Sequence, residues 1–174
     1  QWLGYQAYRV TGGNAWYLSA LLVTITAVAS ALLNNVTIML LMAPVTIEMA
    51  LVLGVHPFSL LIPEVLASNI GGAVTLIGDP PNTIIGSYAG LGFLDFLIHM
   101  GPVVVLSMVA LLVMIRFIYG KEYAKSREMA SPTLLERLRE DAQITDRGAL
   151  RKALIMSGGT LFLFLVQDLF SMPP

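Results

Sequence analysis

Ser68-Asn-Ile-Gly-Gly-Ala-Val-Thr-Leu-Ile-Gly-Asp-Pro-Pro-Asn82 writes a helix break and a helix restart into the middle of an apolar run. Asp79 is a favoured N-cap residue and proline suits a first turn, so a new helix is predicted from Pro81 onward, its amide end toward Gly78 and Asn82. Gly71 and Gly72 allow close backbone approach just upstream. In lipid a break of this kind is costly, because unpaired backbone is tolerated only where protein buries it or where it lines a watery cavity. Discontinuous helices build substrate and ion sites in secondary transporters, so the stretch points toward membrane transport.

Composition agrees. Of the 174 residues 56% are hydrophobic and 12% charged, and mean hydropathy is +0.77, which sets the chain apart from ordinary soluble domains and predicts an integral membrane protein. The net charge of -1 hides an asymmetry, since nine of the ten basic residues lie between Arg116 and Lys152. By the positive-inside rule the segment 120–151 is cytoplasmic. With no cysteine, disulfides and thiolate metal sites are excluded. The start at Gln1, in what reads as the last turns of an amphipathic helix, and the end at Pro173-Pro174 predict a fragment of a longer protein without a visible signal peptide.

Working outward from the break, the run 16–53 is interrupted at Asn34-Asn35-Val36-Thr37, and each arm is short of the roughly 20 residues a crossing needs. A re-entrant hairpin is predicted, entered through Gly12-Gly13-Asn14 and left through Gly54-Val55-His56-Pro57, with Trp16 and Tyr17 at the interface and both mouths on one side. The interrupted span covers 57–90, and Gly90-Leu91-Gly92 is a turn. A full crossing over 93–119, kinked near Gly101-Pro102, brings Arg116 and Lys121 to the cytoplasm. Residues 1–118 thus form one transport region. In the charged loop 120–151 a short surface helix opens at Ser131-Pro132, and 153–170 is a last crossing. The window contains no internal repeat.

Asn34, Asn35 and Thr37 at the hairpin tip offer side-chain carbonyls and a hydroxyl where two half-helix ends meet, a set that can replace the water shell of a small cation or hold an anionic group. The plainer alternative is that they cap the turn. Ser68, Asn69, Gly78, Asp79 and Asn82 would face that tip if the broken span packs on the hairpin, making one polar cleft from two breaks. Asp79 and Glu64 are acids at membrane depth and candidates for proton coupling; Asp79 could equally be an N-cap, and Glu64, like Glu48, could lie near the headgroups. His56 and His99 flank turns and suit an interface. Enzyme signatures are missing: there is no Gly-x-Ser-x-Gly, no His-Glu-x-x-His and no Gly-Lys-Ser/Thr. Acids interleave with the basic loop, which argues against a nucleic-acid surface.

Ser30-Ala-Leu-Leu-Asn-Asn-Val-Thr37 through Met42-Ala-Pro-Val-Thr46, together with Asn69-Ile-Gly-Gly through Gly78-Asp-Pro-Pro-Asn82, resembles the ion transporter superfamily and its citrate transporter-like domain. The likeness runs from Gln1 to Pro174. It is nearest the arsenite permease and melanosomal P-protein branch, and more distant from the sodium-coupled dicarboxylate and citrate symporters. The resemblance implies an all-α membrane fold of two inverted repeats, each with a re-entrant hairpin and a broken helix, of which this chain supplies the first and the start of the second. It implies a homodimer, an elevator-like movement, no cofactor beyond bound sodium, a bacterial or archaeal plasma membrane, and a small anion or metalloid oxyanion carried with sodium or protons. By similarity a sodium site would draw on Ser30, Asn34, Asn35 and the carbonyl of Gly78, with Asn82 nearby. The symporters have serine where this chain has Asn34 and a neutral residue at Asp79. Asparagine cannot titrate, so proton coupling would fall to Asp79, Glu64 or a residue outside this window. A sodium/proton antiporter on the same fold and a non-transporting membrane structural domain are the alternatives.

Overall fold

The computed structural model describes residues 2–129 together with 155, 156 and 159, and these are helical with no strand among them. The elements are α1 (Trp2–Thr11), α2 (Ala15–Ser30), α3 (Asn35–Leu53), α4 (Pro57–Gly72), α5 (Pro80–Ala89), α6 (Phe93–Ile118) and α7 (Gly120–Met129). The surface helix expected at Ser131 lies outside the described residues, as does the last crossing, 153–170, apart from those three helical positions.

Local chemistry sets the boundaries. Gly12 and Gly13 take left-handed φ of 58° and 74° in the first turn, and the side chain of Asn14 accepts from the Trp16 amide at 3.0 Å to start α2. α3 ends on left-handed Gly54, and His56 caps α4 with Pro57 in its first turn. The break of the interrupted span falls at residues 73–79, and α5 opens at Pro80, one residue before the position read from sequence. One expectation changes: α3, at 19 residues, is about 28 Å long at a rise of about 1.5 Å per residue, so it is long and apolar enough to cross a bilayer. α2, at 16 residues, is not. α6, with 26 residues, passes the same test and turns an almost wholly apolar, exposed surface outward: Val105, Leu106, Val109 and Phe117 among others.

Side-chain pairings fix the packing directions. Thr26 meets Glu64 and Ser30 meets Ser68, so contacts advance together along α2 and α4 and the two helices run parallel. Thr46 also meets Glu64 while Asn35 meets Asn69, so α3 runs antiparallel to both. At the α2–α4 crossing a Cβ on Gly71 would stand 2.6 Å from Ala27 Cα and collide with the Ala27 carbonyl, which is the close backbone approach that small residues permit. The core fills the space between α2, α3 and α4 with Leu18, Leu22, Met49, Leu53 and Leu60, and Leu111 and Ile115 of α6 close it. Burying these apolar side chains supplies roughly 1.5–3 kcal/mol each when the alternative is water, less when it is lipid.

Candidate functional site

Parallel α2 and α4 both stop at one level, and antiparallel α3 begins there. The C-terminal ends of α2 and α4 therefore lie beside the N-terminal end of α3, with α5 restarting from the same break. Helix ends carry partial charge, negative at the carbonyl end and positive at the amide end, so this level offers both signs to a solute or ion.

The backbone freed by the breaks is partnered by short side chains. The buried Ser30 hydroxyl donates to the Ser68 carbonyl at 2.6 Å. Thr75 donates to the Ala31 carbonyl, and its oxygen accepts from the Gly78 amide at 3.1 Å. Asn82 donates to two carbonyls, of Gly72 at 3.2 Å and of Thr75 at 3.0 Å, and so ties α5 back onto the end of α4. Gly72 and Gly78 pack backbone to backbone: a Cβ on Gly78 would lie 2.8 Å from both Gly72 Cα and the Ser30 carbonyl.

Across the breaks, the Asn35 amide donates to Asn69 Oδ1 at 2.9 Å, and the Asn69 amide donates to the Val65 carbonyl at 3.0 Å. Asn34 is the N-cap of α3. Its side-chain oxygen and that of Asn35 share the Val36 amide, at 2.9 and 2.7 Å. Thr37 is exposed in the first turn of α3, and Asn69 is exposed with it. Asn35 and Asn69, with Ser68, line a groove of about 550 Å³ between α3 and α4 whose walls include Met39, Leu40 and Ile47.

The predicted residues therefore fall into two sets. Ser30 and Gly78 come together inside: a Cβ on Gly72 would meet the Gly78 carbonyl at 3.1 Å and Ser30 Oγ at 3.3 Å. The Asn34 and Asn35 carbonyls turn to the Val36 amide, so the capping role and the cleft position coexist. Asp79 occupies the N-cap position of α5 at φ -141°, but its carboxylate makes no capping bond and is half-buried. Glu64 is wholly buried, with 0% exposure, between Thr26 and Thr46. Among the described residues no group of three His, Asp or Glu side chains could hold a metal ion, so the donors on offer at the breaks are carbonyls, hydroxyls and amides.

A family model described as "Citrate transporter" (CitMHS) matches residues 1–174. The chain belongs to the citrate transporter family. Among curated relatives of this CitMHS chain is an uncharacterised transporter of Mycobacterium tuberculosis, 44% identical over 154 residues, which are 88% of this chain and 35% of the relative. The "46 kDa membrane protein" of Mycobacterium leprae is 43% identical over 140 residues, 80% of this chain and 32% of that one. The human P protein is 42% identical over 128 residues, 71% of this chain and 15% of that protein. No solved structure matches. The CitMHS chain thus spans about a third of the mycobacterial relatives it matches. Family membership makes it part of an integral membrane protein, in keeping with the exposed apolar faces of α3 and α6.

Three residues of this CitMHS chain escaped the sequence reading although they hold the site together. Thr26, Thr46 and Thr75 each reach across to another element. A lone threonine in an apolar helix commonly bonds its own carbonyl four residues back, as Thr24 does with Ala20 at 2.7 Å, so nothing in the sequence separates the two uses.

Proposed function

We propose that this chain supplies the first-repeat half of the site of a secondary active transporter, carrying a small anion or metalloid oxyanion of the citrate, dicarboxylate or arsenite class together with sodium or protons. The convergence of two chain breaks on one level carries the reading: half-helix ends of both signs, lined by Ser30, Asn34, Asn35, Thr37, Ser68, Asn69, Gly78, Asp79 and Asn82, are the arrangement that binds charged solutes within a bilayer. Amide ends suit the anion. Ser30 and the Gly78 carbonyl suit a sodium ion as co-substrate, with Asn34 and Asn35 joining if their side chains leave the Val36 amide. In this reading the α2–α3 hairpin is re-entrant, since α2 is too short to cross even though α3 is not, a second inverted repeat outside this chain completes the cleft, the protein is a homodimer, and the basic segment 120–151 faces the cytoplasm.

A sodium/proton antiporter on the same fold is the second reading, favoured by the buried acid Glu64. Electrical recording from proteoliposomes of the full-length protein separates the two. Sodium and pH jumps are applied with and without citrate, a dicarboxylate and arsenite. Solute-evoked current is expected; pH-driven exchange that needs no solute would replace the first reading by the second, and silence in every condition would favour a structural domain. This chain reconstituted alone is expected to give no current.

A further inference from the structure

Glu64 is the only carboxylate among the described residues that is wholly buried, and it is held from two sides by two different helices. Thr26 on α2 donates to Oε1 at 3.1 Å and Thr46 on α3 donates to Oε2 at 2.6 Å. An ionised carboxylate only accepts, so this state uses both hydroxyls as donors. A protonated carboxyl must donate, and the site can absorb that change without orphaning an atom. Either threonine can turn its own hydrogen to the carbonyl four residues back, Leu22 for Thr26 or Met42 for Thr46, and accept the carboxyl hydrogen on its oxygen. Thr24 already makes such a back-bond in the same helix. Both protonation states therefore leave each polar atom partnered.

Among the described residues no charged side chain is bonded to Glu64. Leu22, Val23, Met42, Met49, Leu60 and Ala67 on the same three helices belong to the apolar core. Of the titratable groups on the packed elements, Tyr17 of α2 is exposed, as are Asp95, His99 and Arg116 of α6; Glu48 of α3 is half-buried. At the foot of α4 His56 and Glu122 of α7 hold each other's segment, and Tyr123 is bonded to Ser19 and Ser59. Lys121 and Lys125 of α7 are exposed. The side-chain partners of Glu64 among the described residues are the two threonines. One helical turn beyond Thr26 and Glu64 the Ser30 hydroxyl donates to the Ser68 carbonyl, so the buried acid lies one turn below the level of the breaks.

We infer that Glu64, Thr26 and Thr46 form a proton-binding site inside the bundle, one helical turn from the breaks. Its use in a transport cycle rests on the function proposed above; its existence does not. Protonation reverses one of the two hydroxyl ties, the carboxyl donating where a threonine did, so occupancy by a proton also changes how α2 or α3 is held to α4.

Infrared difference spectroscopy on the purified full-length protein tests this without any solute. The carboxylic acid carbonyl stretch is followed through a pH titration in wild type, Glu64→Gln, Asp79→Asn, Thr26→Val and Thr46→Val. A band that grows on acidification, disappears in Glu64→Gln, persists in Asp79→Asn and shifts in frequency in a threonine variant is the expected result. Should Glu64→Gln fail to fold, the threonine variants still report, because only a Glu64 band should move with them. A band that does not titrate, or spectra unchanged by Glu64→Gln or by both threonine variants, overturns the proposal. Since no flux is read, that failure leaves the transport reading standing, and absent flux in the recordings leaves the proton site standing.

Discussion

Where α2 and α4 both stop, the loose backbone is taken up by short side chains of the breaks themselves; at the opposite end of the same pair, the partners come from far along the chain. At the breaks Ser30, Thr75 and Asn82 serve carbonyls of α2, α4 and the turn between α4 and α5, and Gly71, Gly72 and Gly78 let the strands of backbone touch. At the other end Tyr123 of α7 donates to the Ser59 carbonyl at 2.6 Å and reaches the Ser19 hydroxyl at 3.2 Å, while Glu122 accepts from the His56 amide at 2.8 Å. One end is built from small residues with little rotamer freedom to lose, the other from long side chains that clamp the start of the charged segment onto the bundle. We assign function to the first end, because there two chain breaks meet inside apolar runs and expose short polar side chains to one groove.

Substitution can break that contrast, and the largest effect is expected at Gly71. Gly71→Val drives a side chain into the Ala27 backbone and should cost roughly 3 kcal/mol, read as lost expression or a lowered melting temperature in detergent. Gly101→Ala, on open space in α6, is the control and should be near neutral. Equal effects at the two glycines would dissolve the claim of close packing at the breaks.

Asn82→Ala comes next, since it strips the donors from the Gly72 and Thr75 carbonyls together, at about 2 kcal/mol. Binding measurements should also weaken, because the restart of α5 is no longer tied to α4. A stable variant with unchanged affinity would make the break a mere kink.

At the far end Tyr123→Phe should cost about 1–2 kcal/mol without altering solute specificity. Burial pushes the Tyr123 phenol from its ordinary 10.0 up to about 12. The neutral form is the one held in the fold, so its contribution is complete below the ordinary value and is lost as pH rises through about 12. Wild type should therefore lose stability over that alkaline window more steeply than Tyr123→Phe, as seen in melting curves taken across it. The smallest effects are expected at the caps: Asn34→Ala about 0.5 kcal/mol, since Asn35 also accepts from the Val36 amide, and Asp79→Asn no more than that, since its carboxylate caps nothing.

This same contrast explains what the sequence could reveal. Gly12-Gly13-Asn14, Gly54, Pro57 and Asp79-Pro80-Pro81 act within a few residues of themselves, so the start of α2, the end of α3 and the starts of α4 and α5 were legible. So was the meeting of two asparagine-bearing breaks, which polarity in an apolar run demands. The burial of Glu64 between two helices was not, because it depends on threonines 38 and 18 residues before it on different helices. α7 was missed as well: its 10 residues, Gly120–Met129, read as loop by charge, and only tertiary packing buries Tyr123 and Ser126. The reach of α3 was underestimated because Asn35-Val36-Thr37 belongs to the helix rather than to the turn.

Cross-linking tests the central claim, that the two breaks meet, most directly. In the full-length protein cleared of other cysteines, Asn35→Cys and Asn69→Cys are combined and oxidised in native membranes, with Glu48→Cys and Asn69→Cys as the control pair. Rapid bridging of the first pair and none of the second is predicted. If the first pair stays open while the protein remains folded, the hairpin tip and the broken helix do not share one cleft and the account of the site fails.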